Sequence, residues 1–200
     1  LRFADSLRTV LRQDPDIVLV GEIRDKETAE IAMQAGQTGH YVLSTIHTID
    51  CIEVITRLRK MGIWVYDISS ILATTISQRL VRKLCPKCAS KREFTKEEKD
   101  IIQKYLAKYD IEVDFKDKFT YTPIGCKECN NTGYLGRIGV FEILALTDDI
   151  KEMIIQGSSS LDIRRAAIQK GFRPLGVDAM NKLLRGITTL EEINKKISIY

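Results

Sequence analysis

Apolar and polar positions follow two rhythms along this chain, and the switches between them mark its elements. Phe3, Leu7, Val10 and Leu11 recur at helical spacing over residues 3–12, and Asp14-Pro15 ends that helix because proline cannot continue it. Ile17-Val18-Leu19-Val20 is a short run of branched apolar residues, the pattern of a strand buried inside a parallel sheet. A helix is expected over 26–36, ending at Gly36, and Tyr41-Val42-Leu43-Ser44-Thr45 reads as a second strand. The next helix, over 50–61, has Asp50 as its N-cap and Gly62 as its stop. Strand and helix in alternation predict an α/β sheet covered on both faces. Residues 66–75 are expected to be helical, whereas periodicity leaves 76–84 open between strand and helix.

Past Cys88 the pattern changes. Residues 90–118 are rich in lysine and glutamate, have few large apolar residues, and carry a helical stretch near 96–108; they read as an insertion. Residues 119–144 read as short strands interrupted by Gly125, Gly133, Gly136 and Gly139, with Phe141-Glu142-Ile143-Leu144 the last of them. From Asp148 onward the pattern is helical over 148–156, 160–169, 174–185 and 189–197, with Asp148, Ser160 and Thr189 as caps. A small helical bundle is the expectation there. The chain thus falls into segments 1–84, 85–140 and 141–200.

Composition narrows the class. Among 200 residues, 44% are hydrophobic and 29% charged, the balance of a globular protein. The net charge of +4 arises from 31 basic and 27 acidic residues that are well mixed, unlike the concentrated basic field of a dedicated nucleic-acid binder. No apolar run approaches the roughly 18 residues that span a bilayer, and no signal peptide is present. The chain starts at Leu1 inside an amphipathic pattern, so it reads as part of something longer.

Four of the five cysteines form two hooks, Cys85-Pro86-Lys87-Cys88 and Cys126-Lys127-Glu128-Cys129. Two Cys-x2-Cys pairs can surround one tetrahedral ion, and Zn2+ suits four thiolates; two disulfides or an iron site are the alternatives. A Zn(Cys)4 centre has no open position, so it holds structure and performs no chemistry. Lys83, Lys87 and Lys127 near the sulfurs would offset its negative charge. Cys51 stands alone in a helical pattern and reads as a small buried hydrophobe.

Catalytic candidates lie upstream. In Asp16-Ile17-Val18-Leu19-Val20-Gly21-Glu22-Ile23-Arg24-Asp25 an acid follows an apolar strand, at the carboxyl edge where α/β folds bind ligands. This is the Walker B arrangement of nucleotide hydrolases, although a helix cap or surface charge would look the same. The second strand runs into Ser44-Thr45-Ile46-His47-Thr48, which should bring His47 to the same rim as Glu22. His40 begins that strand and belongs to the opposite edge, in a structural role. Arg8 and Arg12 share one helix face, Arg24 follows Glu22 by two residues, and Arg57 lies in the helix after His47. A solvated surface explains each arginine alone; near a phosphate they would neutralise developing charge.

These residues, taken in order with Leu11-Arg12-Gln13-Asp14-Pro15-Asp16, Gln37-Thr38-Gly39-His40, Gln78-Arg79-Leu80 and Gly136-Arg137-Ile138-Gly139-Val140-Phe141-Glu142, make the chain closely resemble the ATPases of type II secretion and type IV pilus assembly. The resemblance covers nearly the whole chain and is weakest at 90–118 and at the C-terminus. It implies a partial RecA-like domain followed by a tetracysteine zinc subdomain and a C-terminal helical bundle. It implies a homo-hexamer with ATP and Mg2+ near the subunit boundaries. Glu22 would be the Walker B carboxylate that polarises the attacking water, with Arg24 and His47 beside it. The family's histidine box falls on the stretch from Gly39 to Thr48. Arg8, Arg12 and Arg57 would support the nucleotide or the subunit contact. The implied location is the cytoplasmic face of the inner membrane, on cytoplasmic domains of secretion or pilus platform proteins. The cysteine hooks fit secretion and pilus-extension ATPases, since retraction ATPases generally lack them. A zinc-held docking module without chemistry is the alternative, and a nucleic-acid motor the third reading.

One departure qualifies the resemblance. No Gly-x4-Gly-Lys-Ser/Thr occurs in the 200 residues. The amides and lysine that cradle phosphates in P-loop enzymes are therefore not supplied by this stretch, and alone it is expected to be inactive.

Overall fold

β1 (Ile17–Val20) and β2 (Tyr41–Ser44) pair in parallel, with Ile17 opposite Tyr41 and Val20 opposite Ser44. The computed structural model to which they belong describes residues 3–197. Leu1, where the amphipathic pattern starts, lies outside the described residues. α1 (Phe3–Leu11) precedes β1, and α2 (Lys26–Gln37) is the crossover between the strands. Asp25 caps α2 by accepting a 2.8 Å hydrogen bond from the Thr28 amide. Leu7, Val18, Val20 and Ile31 form the core between helices and sheet. Each such side chain contributes roughly 1.5–3 kcal/mol by leaving water.

Burial in β1 alternates: Val18 and Val20 face this core, whereas Ile17 and Leu19 are 64% and 75% exposed. Their register partners Tyr41 and Leu43 are exposed as well. The expectation of a sheet covered on both faces therefore fails among the described residues. α1 and α2 screen one face, and none of the other described elements covers the second.

The chain divides into two compact units. Besides the sheet, the first contains α3 (Glu53–Lys60), α4 (Val65–Ile71), α6 (Asp148–Ile155) and α7 (Ser160–Gln169). Ile55, Leu58, Ile68, Ile150, Ile154 and Ile163 are buried along these helices. Arg59 donates to the Ile154 and Ser158 carbonyls, satisfying the carboxyl end of α6. α3 starts later than expected, at Glu53, but Asp50 still serves it by accepting from the Ile52 and Glu53 amides. Likewise Ser159, one residue before the expected Ser160, caps α7, and Thr147 rather than Asp148 precedes α6.

The second unit runs over Ser77–Glu142 and from Phe172 onward. It contains most of β3 (Thr74–Leu84) and β6 (Tyr134–Ala145), which are hydrogen-bonded neighbours, so the open stretch 76–84 is a strand. β4 (Ala89–Arg92) pairs antiparallel with β5 (Thr120–Pro123). α5 (Lys96–Ala107), α8 (Leu175–Leu184) and α9 (Leu190–Lys196) complete it. Ile102, Tyr105 and Leu106 of α5 join Val81, Val140, Met180, Leu183 and Ile193 in one core. Residues 90–118 are thus part of the packed unit and not merely a polar insertion. A capping box of Thr95 and Glu98 starts α5. The compact units divide the segments 1–84 and 141–200, whereas 85–140 lies wholly within the second unit. The four C-terminal helices are divided between the units, α6 and α7 belonging to the first and α8 and α9 to the second.

Candidate functional site

The carboxyl ends of β1 and β2 are tied together just past their last paired residues. Thr45 Oγ1 donates to the Gly21 carbonyl at 2.6 Å, and the Ile23 amide donates to the Thr45 carbonyl at 2.8 Å. These bonds hold the segment carrying Glu22 against the segment carrying His47. Arg24 Nη2 lies 2.5 Å from Glu22 Oε1, and His47 Nε2 lies 3.3 Å from Glu22 Oε2. Three of the candidates therefore meet at one rim, as strand order and direction require.

The electrostatics follow from these contacts. The hydrogen bond from Arg24 holds the Glu22 carboxyl below its usual range; burial opposes this, and the charge of Arg24 and the nearness of His47 add to the lowering. Glu22 is consequently a carboxylate at neutral pH. Its Oε2 is buried and lies 3.3 Å from His47 Nε2, with no well-formed hydrogen bond among the described residues. Arg24 and His47 are largely exposed and can move without disturbing the core.

The remaining candidates are dispersed. Arg8 on α1 pairs with Asp5 and, at 3.1 Å, with Glu27 on α2. Arg12 follows α1 and Arg57 lies on α3; both are exposed. Thr48 lies beyond His47 and donates to the Asp50 carbonyl at 3.0 Å. Gly39 precedes β2 and so lies at the amino edge, with the length of the strand between it and Glu22. Its φ of 94° belongs to the turn out of α2. His40 is at that edge too, its Nδ1 3.1 Å from the Ala35 carbonyl and 3.0 Å from Thr38 Oγ1. Thr45 and Asp25, which position the Glu22 loop, were not among the candidates. The Asp-x-x-Thr pattern of a helix cap was the available signal for Asp25, and Thr45 had none.

The second cluster is the cysteines. The four Sγ atoms lie within 4.8 Å of one another, with separations of 3.9 Å for Cys85–Cys126, 3.8 Å for Cys88–Cys129 and 3.7 Å for Cys126–Cys129. A tetrahedron with zinc–sulfur bonds of about 2.3 Å has edges of about 3.8 Å, so the four sulfurs fit that ion. They are far outside the ~2.05 Å of a disulfide bond. Backbone amides of Gly125, Cys126 and Gly133 point at the sulfurs from 3.2–3.3 Å, which favours thiolates. Gly133 has φ 74°, and a Cβ there would meet Pro123, so glycine is needed to bring that amide in. Burial pushes the Cys88 thiol up to about 12. At Cys129 burial pushes the same way, but the amides of Cys126 and Gly133 outweigh it and bring the thiol down to about 6.

A carboxylate thus stands at the carboxyl edge of parallel strands between arginine and histidine, and a tetracysteine cluster follows it in the chain. The sequence matches the type II/IV secretion system protein family over residues 1–195, and the chain belongs to that family. Among its relatives, the type IV pilus assembly ATPase PilB of Acinetobacter baylyi is 41% identical over 199 residues, 99% of this chain and 33% of that protein. Type II secretion system protein E of Aeromonas hydrophila is 44% identical over 193 residues, 96% of this chain and 37% of that protein. The chain thus spans about a third of the length of the curated relatives it matches. Among solved structures, the pilus retraction motor PilT with bound ADP aligns with a TM-score of 0.62 at 26% identity, over 97% of this chain and 43% of that one. The Legionella pneumophila ATPase DotB aligns at 0.64 with 21% identity, over 97% and 42%. No helix among the described residues is long and apolar enough to cross a membrane.

Proposed function

We propose that this chain is the catalytic-carboxylate half of a RecA-like ATPase that powers type II secretion or type IV pilus extension. The observation that carries the reading is the meeting of Glu22, Arg24 and His47 at the carboxyl edge of a parallel strand pair. Glu22, ionised and loosely held by His47 at its second oxygen, accepts a hydrogen bond from the attacking water and orients it for in-line attack on the γ-phosphate. Arg24 holds Glu22 until nucleotide draws the guanidinium toward phosphate. His47 reports the γ-phosphate to the same carboxylate. Arg8, Arg12 and Arg57 act at the subunit boundary of a homo-hexamer, and Gly39 and Thr48 delimit the histidine box. Mg2+ bound with ATP would neutralise phosphate charge. The phosphate-binding loop comes from sequence outside these 200 residues, and the chain by itself is inactive. Cys85, Cys88, Cys126 and Cys129 hold a structural Zn2+. The assembly works at the cytoplasmic face of the inner membrane, docked on platform proteins there. The bare face of the β1–β2 sheet supports this reading, because strands of a parallel sheet are normally covered on both sides.

The test is Glu22→Gln in the intact ATPase. ATP binding should persist while hydrolysis falls at least ~100-fold, the scale of losing a general base. A variant that keeps half its turnover would make Glu22 structural and assign the water-orienting role to another residue, whereas an intact protein with no turnover at all would favour a zinc-held docking module.

A further inference from the structure

The chain's positive charge is unevenly placed. The first unit has twelve Lys and Arg against fourteen Asp and Glu, whereas the second has nineteen against thirteen. Within the second unit, cations gather on an open cleft of about 860 Å3 formed by β3, β6 and α9. Four of its lining residues are basic, Arg82, Arg137, Lys195 and Lys196, and only Glu192 is acidic.

Glu192 does not neutralise this cleft as a surface carboxylate would. Its side chain is 1% exposed and is fully engaged with Arg82: Oε2 accepts from Arg82 Nε at 2.8 Å and Nη2 at 2.6 Å, and Oε1 accepts from the Arg82 amide at 3.0 Å. The Arg82 guanidinium also lies 4.0 Å from the centre of the Tyr134 ring, whose hydroxyl is fixed by Thr189 at 2.8 Å. Arg82 is therefore held flat and in place before any ligand arrives. Lys195 pairs with Glu191 at 2.5 Å. Arg137 and Lys196 are exposed and lie within 4 Å of no described carboxylate, although the Lys196 charge acts on Glu192 at longer range. The two paired cations are offset by Glu191 and Glu192, and the cleft lining keeps a net charge of two positive from Arg137 and Lys196.

We propose that this cleft binds a phosphate-bearing anion. The guanidinium of Arg137 offers a planar fork for two oxygens, Lys196 a point charge, and Arg82 a pre-oriented edge, which is the donor set that phosphate recognition uses. A dianion matches the two uncompensated charges. A volume of this size suits a small molecule or a lipid headgroup and leaves little length for an extended peptide. Every lining residue belongs to the second unit, whereas Glu22, Arg24 and His47 belong to the first.

The experiment titrates inorganic pyrophosphate into the zinc-loaded 200-residue chain by calorimetry at fixed ionic strength. One saturable site is expected. Arg137→Gln/Lys196→Gln, both at exposed positions, should weaken it at least about tenfold with an unchanged circular dichroism spectrum. The charge-matched control Lys60→Gln/Lys118→Gln should not weaken it. Absence of saturable binding, or equal weakening by the control, would overturn the site. Sedimentation with phosphatidylglycerol and phosphatidylcholine vesicles separates the sources. Binding to the anionic vesicles that is lost in the Arg137/Lys196 variant identifies a headgroup, and pyrophosphate binding without vesicle binding identifies a soluble phosphate. Binding of polyglutamate but not of pyrophosphate would replace the proposal with an acidic protein partner.

Discussion

Thr189-Leu190-Glu191-Glu192 has the sequence of a capping box, yet only half of the box forms. Thr189 accepts from the Glu192 amide, as a cap should, but the Glu192 carboxylate reaches Arg82 on β3 instead of its own helix. Burial pushes this carboxyl up, and the Arg82 side chain and amide outweigh that and hold it below its usual range. A carboxyl lowered in the folded state contributes stability that is complete above its unfolded value, about 4.3, and is lost as pH falls through the folded value. Glu192→Gln should therefore cost about 2 kcal/mol at pH 7. The difference from wild type should shrink at acid pH, as the wild-type carboxylate takes up its proton. Urea unfolding at neutral and at acid pH measures this, and a pH-independent deficit would mean that Glu192 acts through packing alone. The same scale explains what the sequence revealed about the rim. Strand direction and the position after the strand are enough to bring Glu22 and His47 together. Nothing local in the sequence says that Arg24 would bond Glu22, or that Thr45 would bridge to Gly21, because both contacts depend on loop conformation.

At the scale of elements, periodicity located what local physics controls. α1, β1, α2 and β2 lie within a residue or two of their expected limits, since Pro15, Asp25 and Gly39 punctuate them chemically. Stretches whose state depends on partners were less legible. Residues 76–84 became β3 only because β6 pairs with them, and α4 ends at Ile71 rather than 75 because the chain turns extended before β3. The helix at 96–108 was visible, but its burial was not, since only Ile102, Tyr105 and Leu106 among many charges reach the core. The cysteine hooks show the reverse case: a fixed spacing that announces a cluster across 41 residues of sequence separation. Structural zinc in small sites is worth about 10 kcal/mol or more of apparent binding energy, so its loss should unfold what it ties. Metal analysis should give about one zinc per chain. Cys126→Ser should release it and raise amide exchange across β4, β5 and the two hooks while leaving α2 and β2 protected. A folded, reduced protein without stoichiometric metal would rule out the zinc centre.

For the molecule as a whole, the uncovered face of the first sheet is the most consequential feature. Ile17, Leu19, Tyr41 and Leu43 form a contiguous apolar patch, because their register places them side by side on the face away from α1 and α2. Contiguous apolar surface on a folded unit drives association until it is covered. Covering it in the intact ATPase, as the proposed function requires, would leave the isolated chain with an unsatisfied surface but without the nucleotide that bridges subunits of a hexamer. The isolated chain should accordingly be mainly a monomer of 22.8 kDa, with a weak dimer that grows with concentration. Leu19→Thr should abolish that dimer in light scattering and change the stability of the isolated chain by no more than about 0.5 kcal/mol, the effect of an exposed substitution. In the intact ATPase the same change should cost about 2 kcal/mol, because there the side chain is expected to be buried. Equal, small effects in both settings would show that the face stays open in the assembled enzyme. A stable hexamer of the isolated chain would shift the driving force for assembly to the second unit.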